Sequence, residues 1–297
     1  MTPSPSSTSS SAEVDRLLKK AVDLHTLPVV VLEAERLMRT PRTSAQDIAT
    51  LISRDPALAG RILRMANSAY YGFQKRIGTL TQAIVLLGFQ TTRNLMLTVS
   101  VIETFRTGSD DSFDYPGLWA HSMAAAIAAS EIAAASPLED SGEAYIAGLL
   151  HDAGKLIIAQ HLKHLSEAIH RSKGQGFDEL EAERVILGRS HASIGAQLAE
   201  RWQLPPHLVE GIREHHHPPA GGGEPNLAHV LQLANIVVTA LGFGRPDASM
   251  PLAVDGLSKC LGYDEESLAE WIDRIVKKIE NASDFFELIG VGQTSET

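Results

Sequence analysis

The feature that most constrains this chain is the pair His151-Asp152, inside the run GLLHDAGK from Gly148 to Lys155. His121 stands thirty residues before it, His191 forty after, and His215-His216-His217 follow about twenty-five further on. Imidazole and carboxylate are the ligands of zinc, iron and manganese. They can serve one site only if segments nearly a hundred positions apart meet in a single polar pocket.

The pattern around them is helical. Ser44 caps a stretch in which Ile48, Leu51 and Ile52 share a face. Asp55-Pro56 is a helix start, an acidic cap with proline at the first helical position, followed by Leu58, Ile62, Met65, Ala66 and Ala69. Thr79 and Gln82 read as a capping box, Gly88 as the left-handed cap ending that helix, and Leu95, Val99, Ile102 and Phe105 as the next buried stripe. Trp119 to Ala135 is rich in alanine, which permits close helix contact, and one helix is expected from Ala144 to Gln160, carrying the His-Asp pair. Ser190 caps a helix through Ile194, Leu198 and Trp202, and Pro205-Pro206 opens one that ends near the histidine run. Asp264 caps the last, with Leu268, Trp271, Ile272, Ile275 and Ile279. No segment alternates with the period of a strand, so an all-α multi-helix bundle is expected.

Punctuation at Gly108–Ser112 divides an N-terminal helical bundle (13–112) from a histidine-bearing bundle (113–219), and Pro218–Pro225 reads as a surface loop before C-terminal helices (220–290) that complete the second bundle. Residues 1–12, rich in Ser, Thr and Pro, read as a disordered tail. At 297 residues, 44% hydrophobic, the chain can bury one large core or two smaller ones. Its net charge of −10 weighs against nucleic acid as a partner, which calls for a basic face. No apolar run is expected to approach the ~18–20 residues that span a bilayer. The single Cys260 excludes an intrachain disulfide and a Cys-rich zinc ribbon. A cytoplasmic protein without a membrane partner is expected.

A histidine taken at random is a surface residue or a satisfied core group, and His25, His161, His164, His170, His207 and His229 are read that way. His121, His151, Asp152, His191, His215 and His216 differ, each lying near a helix end or among small residues. Successive helical residues point ~100° apart, so His151 and Asp152 would converge on an ion at the edge between them, and the two oxygens of Asp152 would let it bridge two ions.

This order of residues around GLLHDAGK resembles the HD superfamily of metal-dependent phosphohydrolases. An earlier block, DPALAGRILRMANSAYYG from Asp55 to Gly72 followed by IGTLTQAIVLLG from Ile77 to Gly88, narrows the resemblance to the HDOD domain, a bacterial signalling relative, over about residues 24–219. The resemblance implies an all-helical fold and a regulatory role, and many members look like non-catalytic modules that have lost metal ligands. Carried over residue by residue, it makes His121, His151, Asp152, His191, His215 and His216 the metal ligands, with His216-His217 as an alternative register. Lys155 would face the substrate phosphate if the protein were active. Three departures count against catalysis. The terminal aspartate of the pattern falls on Asn235, whose amide brings no charge. Gly117 stands where some cyclic-dinucleotide phosphodiesterases carry a glutamate, and Pro218-Pro-Ala-Gly replaces their Gly-Tyr-Pro signature. Asp152, His191, His215 and His216 could still hold one ion, whereas a two-ion site able to activate water and clamp a phosphate looks incomplete.

The expected function is therefore that of a bacterial signalling protein, a non-catalytic protein-binding module with a residual site for iron, manganese or zinc. The alternative is a metal-dependent phosphohydrolase acting on a nucleotide or cyclic dinucleotide. Tyr70, Tyr71 and Phe73 could present a surface to a signalling partner, or fold their rings back on the core. Leu80–Thr98, with Arg93 and Asn94, has the outline of a helix-turn-helix, but Leu95, Met96, Leu97 and Val99 suit a buried helix. Gly221–Gly223 lacks the Lys-Ser/Thr and strand context of a phosphate loop. Homo-oligomerisation is left open.

Overall fold

The structure, a computed structural model, describes residues 8–105, 113–136, 138, 140–174, 177–219, 225–243, 260–262, 265–282 and 286. Among these residues there are fourteen helices and no strand, as the all-α expectation requires. The first five are α1 (Thr8–Leu24), α2 (Val29–Met38), α3 (Ala45–Ile52), α4 (Pro56–Ala66) and α5 (Leu80–Thr104). The next five are α6 (Tyr115–Ala135), α7 (Ser141–Leu150), α8 (Ala153–His161), α9 (Lys163–Gly174) and α10 (Glu179–Leu187). The chain continues with α11 (His191–Arg201), α12 (Pro206–Glu214), α13 (Leu227–Ala240) and α14 (Glu265–Asn281).

The caps read from sequence form locally. Ser44 and Asp47 make a reciprocal capping box, the Asp55 carboxylate accepts from the amides of Ala57 and Leu58, and Ser190 accepts from Ser193. The stripes that follow are buried, except that Ala69 lies exposed beyond the end of α4. Gly88 ends the first helical stretch with a left-handed φ of 78°, as expected, but its ψ of 168° is extended, and a second stretch starts at once, so α5 is two helical stretches joined at a kink. Beyond the kink Leu95, Met96, Leu97 and Val99 are buried and Arg93 pairs with Glu35 of α2. That makes the segment a core helix, with no basic face for a groove.

Helix α1 begins at Thr8, inside the stretch read as a tail, because Val14, Leu18, Ala21 and Val22 give it an apolar face to bury. It packs on α8 and α11, and one cluster of buried side chains runs from Val14 to Ala282, joining the two expected bundles in a shared core. The boundary at Gly108–Ser112, Gly221–Gly223, the cap Asp264 and the side chain of Leu268 lie outside the described residues. On α14, Trp271, Ile275 and Ile279 are buried. Helices α5 and α6 are long and apolar enough to cross a membrane, with 50% and 67% of their most apolar windows buried within the fold.

The expected helix from Ala144 to Gln160 is two helices. α7 stops at Leu150, His151 and Asp152 form a turn, and α8 starts at Ala153. Close packing on both sides accounts for the break. On α7, a Cβ at Gly148 would lie 2.7 Å from the Ala125 carbonyl oxygen of α6. On α8, a Cβ at Gly154 would lie 2.0 Å from the His191 carbonyl oxygen and 2.9 Å from the Gly195 nitrogen of α11. A two-residue turn lets each helix seat against its own partner, and it leaves the His-Asp pair at the junction.

Two glycine substitutions test this packing in opposite directions. Gly154→Ala must push α8 off the α11 backbone and is expected to cost about 1–3 kcal/mol, as overpacking does. Gly60→Ala, exposed in the interior of α4 with nothing within 4 Å of the added methyl, is expected to stabilise by about 0.5–1 kcal/mol. Urea midpoints at unchanged slope measure both. A neutral Gly154→Ala would contradict the close α8–α11 approach.

Candidate metal centre

Four segments deliver the six side chains. His121 comes from the middle of α6 and His151-Asp152 from the α7–α8 turn. His191 is the first residue of α11, positioned by the Ser190 cap, and His215-His216 follow the last residue of α12. Four of them (Asp152, His191, His215, His216) place one ligand atom each within 4.8 Å of one another, and so do His121, His151 and Asp152. Asp152 belongs to both groups. Its Oδ1 lies 3.1 Å from His191 Nε2, while its Oδ2 lies 3.4 Å from His151 Nε2 and 3.7 Å from His121 Nε2.

The far side of each ring decides what these atoms can do. Nδ1 of His121, His151 and His215 faces the carbonyl oxygens of Phe243, Gly148 and Ile212 at 2.8, 2.7 and 2.7 Å. A carbonyl only accepts, so each Nδ1 carries the proton and each neutral Nε2 presents a bare lone pair. Two such lone pairs, on His121 and His151, are only 3.2 Å apart. His215 Nε2 is buried and accepts no hydrogen bond. Buried polar atoms are normally paired. A converging set of unpaired lone pairs beside a carboxylate fits a divalent cation of the zinc, iron or manganese class.

His191 is held differently. Glu183 of α10, itself buried, accepts from the His191 backbone N–H at 2.7 Å and from Nδ1 at 2.8 and 2.9 Å. His191 Nε2 in turn lies 3.0 Å from His216 Nε2. Gln232 of α13 donates to the His216 carbonyl and fixes that backbone. The Lys155 ammonium sits 3.0 Å from Asp152 Oδ2 and 3.3 Å from Glu179 Oε2. Three carboxylates and one ammonium leave two negative charges around the histidines, the charge that one divalent ion would cancel.

Burial governs the titration of the rings. It lowers His151 to about 4, although the Asp152 carboxylate pulls the other way, and it holds His215 and His216 well below the ordinary value, with neighbouring histidines adding to the effect. Burial would raise the Asp152 carboxyl, but His151 and Lys155 beside it hold it well below the usual range. Burial would also lower His191 and Lys155. Glu183 overrides this at His191 and lifts it to about 9, and Asp152 with Glu179 lifts Lys155 above its ordinary value. In the absence of a cation, His191 therefore holds a second proton on Nε2, where a metal would replace it.

All six expected ligands come together, in the His215-His216 register; His217 is exposed. Asn235 is buried on α13, which packs against the helix carrying His121. The remaining histidines are surface or satisfied groups. His25 is buried between the Ala21 carbonyl, Gln160 and the Phe105 ring, and His229 completes a capping box with Asn226. His161, His164, His170 and His207 are exposed. Tyr70 and Tyr71 meet each other edge to face and pack against the main core, and Phe73 packs against Ala66, Ile77 and Ala83, so the loop keeps its rings mostly turned inward. Sequence reasoning missed Glu183, whose signal was present: Leu180, Glu183 and Leu187 share one face of α10, which places a charge in an apolar stripe.

Solved structures of the same fold include a Shewanella amazonensis SB2B protein that carries the provisional name of phosphohydrolase. It matches with a TM-score of 0.73 and 28% identity, over 93% of this chain and 98% of its own. An HDOD domain protein of unknown function from Geobacter sulfurreducens matches with a TM-score of 0.74 and 25% identity, over 92% of this chain and 99% of its own. An uncharacterized protein of Treponema pallidum (strain Nichols) is 28% identical over 240 residues, 77% of this chain; the chain spans 45% of that curated relative's length. The sequence model of the HDOD domain matches residues 24–218, about two-thirds of the chain, and with the site geometry above this makes the protein a member of the HDOD domain family.

Proposed function

We propose that this chain is a regulatory protein of bacterial signalling, a non-catalytic module that holds one divalent ion in a closed site and acts through a protein partner. The observation that carries this reading is the enclosure of the ligands. The side chains of His191, His151 and Asp152 are 0%, 1% and 4% exposed, so the atoms that would have to meet a substrate lie beneath their neighbours. Lys155 supports the same reading, because its ammonium is engaged by Asp152 and Glu179 and is not held free for a phosphate.

Asp152, His191, His215 and His216 would hold the ion, with His121 and His151 on the other face of the Asp152 carboxylate. In a phosphohydrolase such an ion activates water and stabilises phosphate charge. In this chain the ligands instead tie the α7–α8 turn to the start of α11 and the end of α12, so that occupancy sets the rigidity of the surface a partner meets. Ligand-linked stabilisation of this kind amounts to about 2.7–4.1 kcal/mol at 100–1,000 times the dissociation constant.

Elemental analysis of protein loaded with manganese, iron or zinc, paired with hydrolysis of bis(p-nitrophenyl) phosphate, tests this reading. About one tightly held ion per chain is expected, with a higher melting temperature and turnover no faster than the free ion gives. Turnover above that background and lost in His151→Ala would establish the alternative, a phosphohydrolase acting on a nucleotide or cyclic dinucleotide. Protein that cannot be loaded with any of the three metals would end the metal reading.

Acid is expected to destabilise the metal-free fold. His151, His215 and His216 fold as neutral rings with lowered pKa. Below the ordinary value of 6.5 the unfolded chain binds protons that the folded chain refuses. Stability then falls with pH by up to about 1.4 kcal/mol per unit for each ring. His191 acts in the opposite sense: its contribution is complete below about 6.5 and is lost as pH rises through about 9. Urea unfolding of metal-free protein from pH 4 to 10 should therefore show a maximum near 6.5. A flat profile between pH 4 and 6.5 would contradict the neutral-ring assignment.

A further inference from the structure

The two ligand groups that share Asp152 are unequal behind their rings. His121 and His151 are backed only by neutral carbonyls, those of Phe243 and Gly148. His191 is backed by the Glu183 carboxylate, which grips both Nδ1 and the backbone N–H of the same residue. A carboxylate behind an imidazole fixes its tautomer, aims its Nε2 and makes it a stronger donor than a carbonyl does. We infer that Glu183 is a positioning residue that makes the Asp152–His191–His215–His216 position the tight one, so that two ions enter in order and the one beside His121 and His151 is weak.

The inference rests on the metal reading above and adds an order to it. Charge supports that order. Asp152, Glu183 and Glu179 against Lys155 leave two negative charges, which the first divalent ion cancels; a second would leave the buried site with two positive charges. Glu183 has no other evident reason to be buried at the core face of α10, where a carboxylate is costly unless its oxygens are satisfied. It satisfies them at the first residue of α11, and its charge also meets the positive end of that helix.

Titration with cobalt(II) alone, followed by calorimetry and by its visible absorption, separates this inference from the reading beneath it. The unaltered protein is expected to bind in two events, tight and weak. Glu183→Gln, which keeps the shape and removes the charge, is expected to weaken the tight event by about 10–100-fold, shift the absorption of the first ion, and leave the weak event within about threefold. His121→Ala should abolish the weak event and spare the tight one. Should Glu183→Gln fail to fold, Glu183→Asp in the same titration decides the point, because a carboxylate drawn back from His191 Nδ1 must weaken the tight event and spare the weak one. Normal cobalt uptake with Glu183→Gln unchanged, or with both events weakened equally, would overturn the role of Glu183 while leaving the metal reading intact. No cobalt uptake by the unaltered protein would overturn both.

Discussion

The interaction on which the site depends is the hydrogen bond behind four of its five imidazoles. Carbonyls of Phe243, Gly148 and Ile212 and the carboxylate of Glu183 each take one ring proton, and every bond turns the opposite nitrogen inward. Without them four histidines in a helical core would be free to choose the tautomer that satisfied them best, and the centre would dissolve into an ordinary polar network. With them the core turns Nε2 atoms toward one another, and that of His215 meets no donor among the described residues. Such an arrangement is costly in a low-dielectric interior, and a cation removes that cost.

The backbone serves this arrangement in the same places where it packs most closely. The turn at His151-Asp152 exists because α7 seats on α6 at Gly148 and α8 on α11 at Gly154, where no side chain would fit. The glycine at Gly154 touches the carbonyl of His191, so the contact that fixes the helix crossing also fixes the distance between two ligands. Fold stability and ligand geometry are therefore coupled at one spot. Lys155, one turn into α8, is drawn to Asp152 and Glu179 by the same crossing. That engagement ties the ammonium into the centre itself.

Much of this was legible in the sequence, because caps, prolines and helical stripes act locally. Ser44, Asp55 and Ser190 cap the helices they were expected to cap, and the six residues singled out by their order and the resemblance it carries lie together in the fold. What could not be read was decided by tertiary contact. Leu149 to Lys155 holds Asp152, which favours a helix start, and Gly154, which weakens a helix, but neither fixes a break at His151; the division into α7 and α8 follows the seating of each helix on its own partner. Gly88 closes one helical stretch as expected, but the extended ψ that joins it to the next does not follow from the residue type. Glu183 lay among charges that look like a solvated face, and only its spacing from Leu180 and Leu187 marked it as buried. Tyr70 and Tyr71 suggested a surface; their rings find more apolar area inside than out.

The central claim is that the convergent Nε2 atoms hold a metal ion and not a proton network. Anomalous diffraction from crystals of metal-loaded protein, collected at the absorption edge of the metal, tests it most directly. The account predicts a strong peak enclosed by Asp152, His191, His215 and His216, with every ring presenting Nε2 to it. Rings turned to present Nδ1, or density there explained by water alone in fully loaded protein, would contradict it.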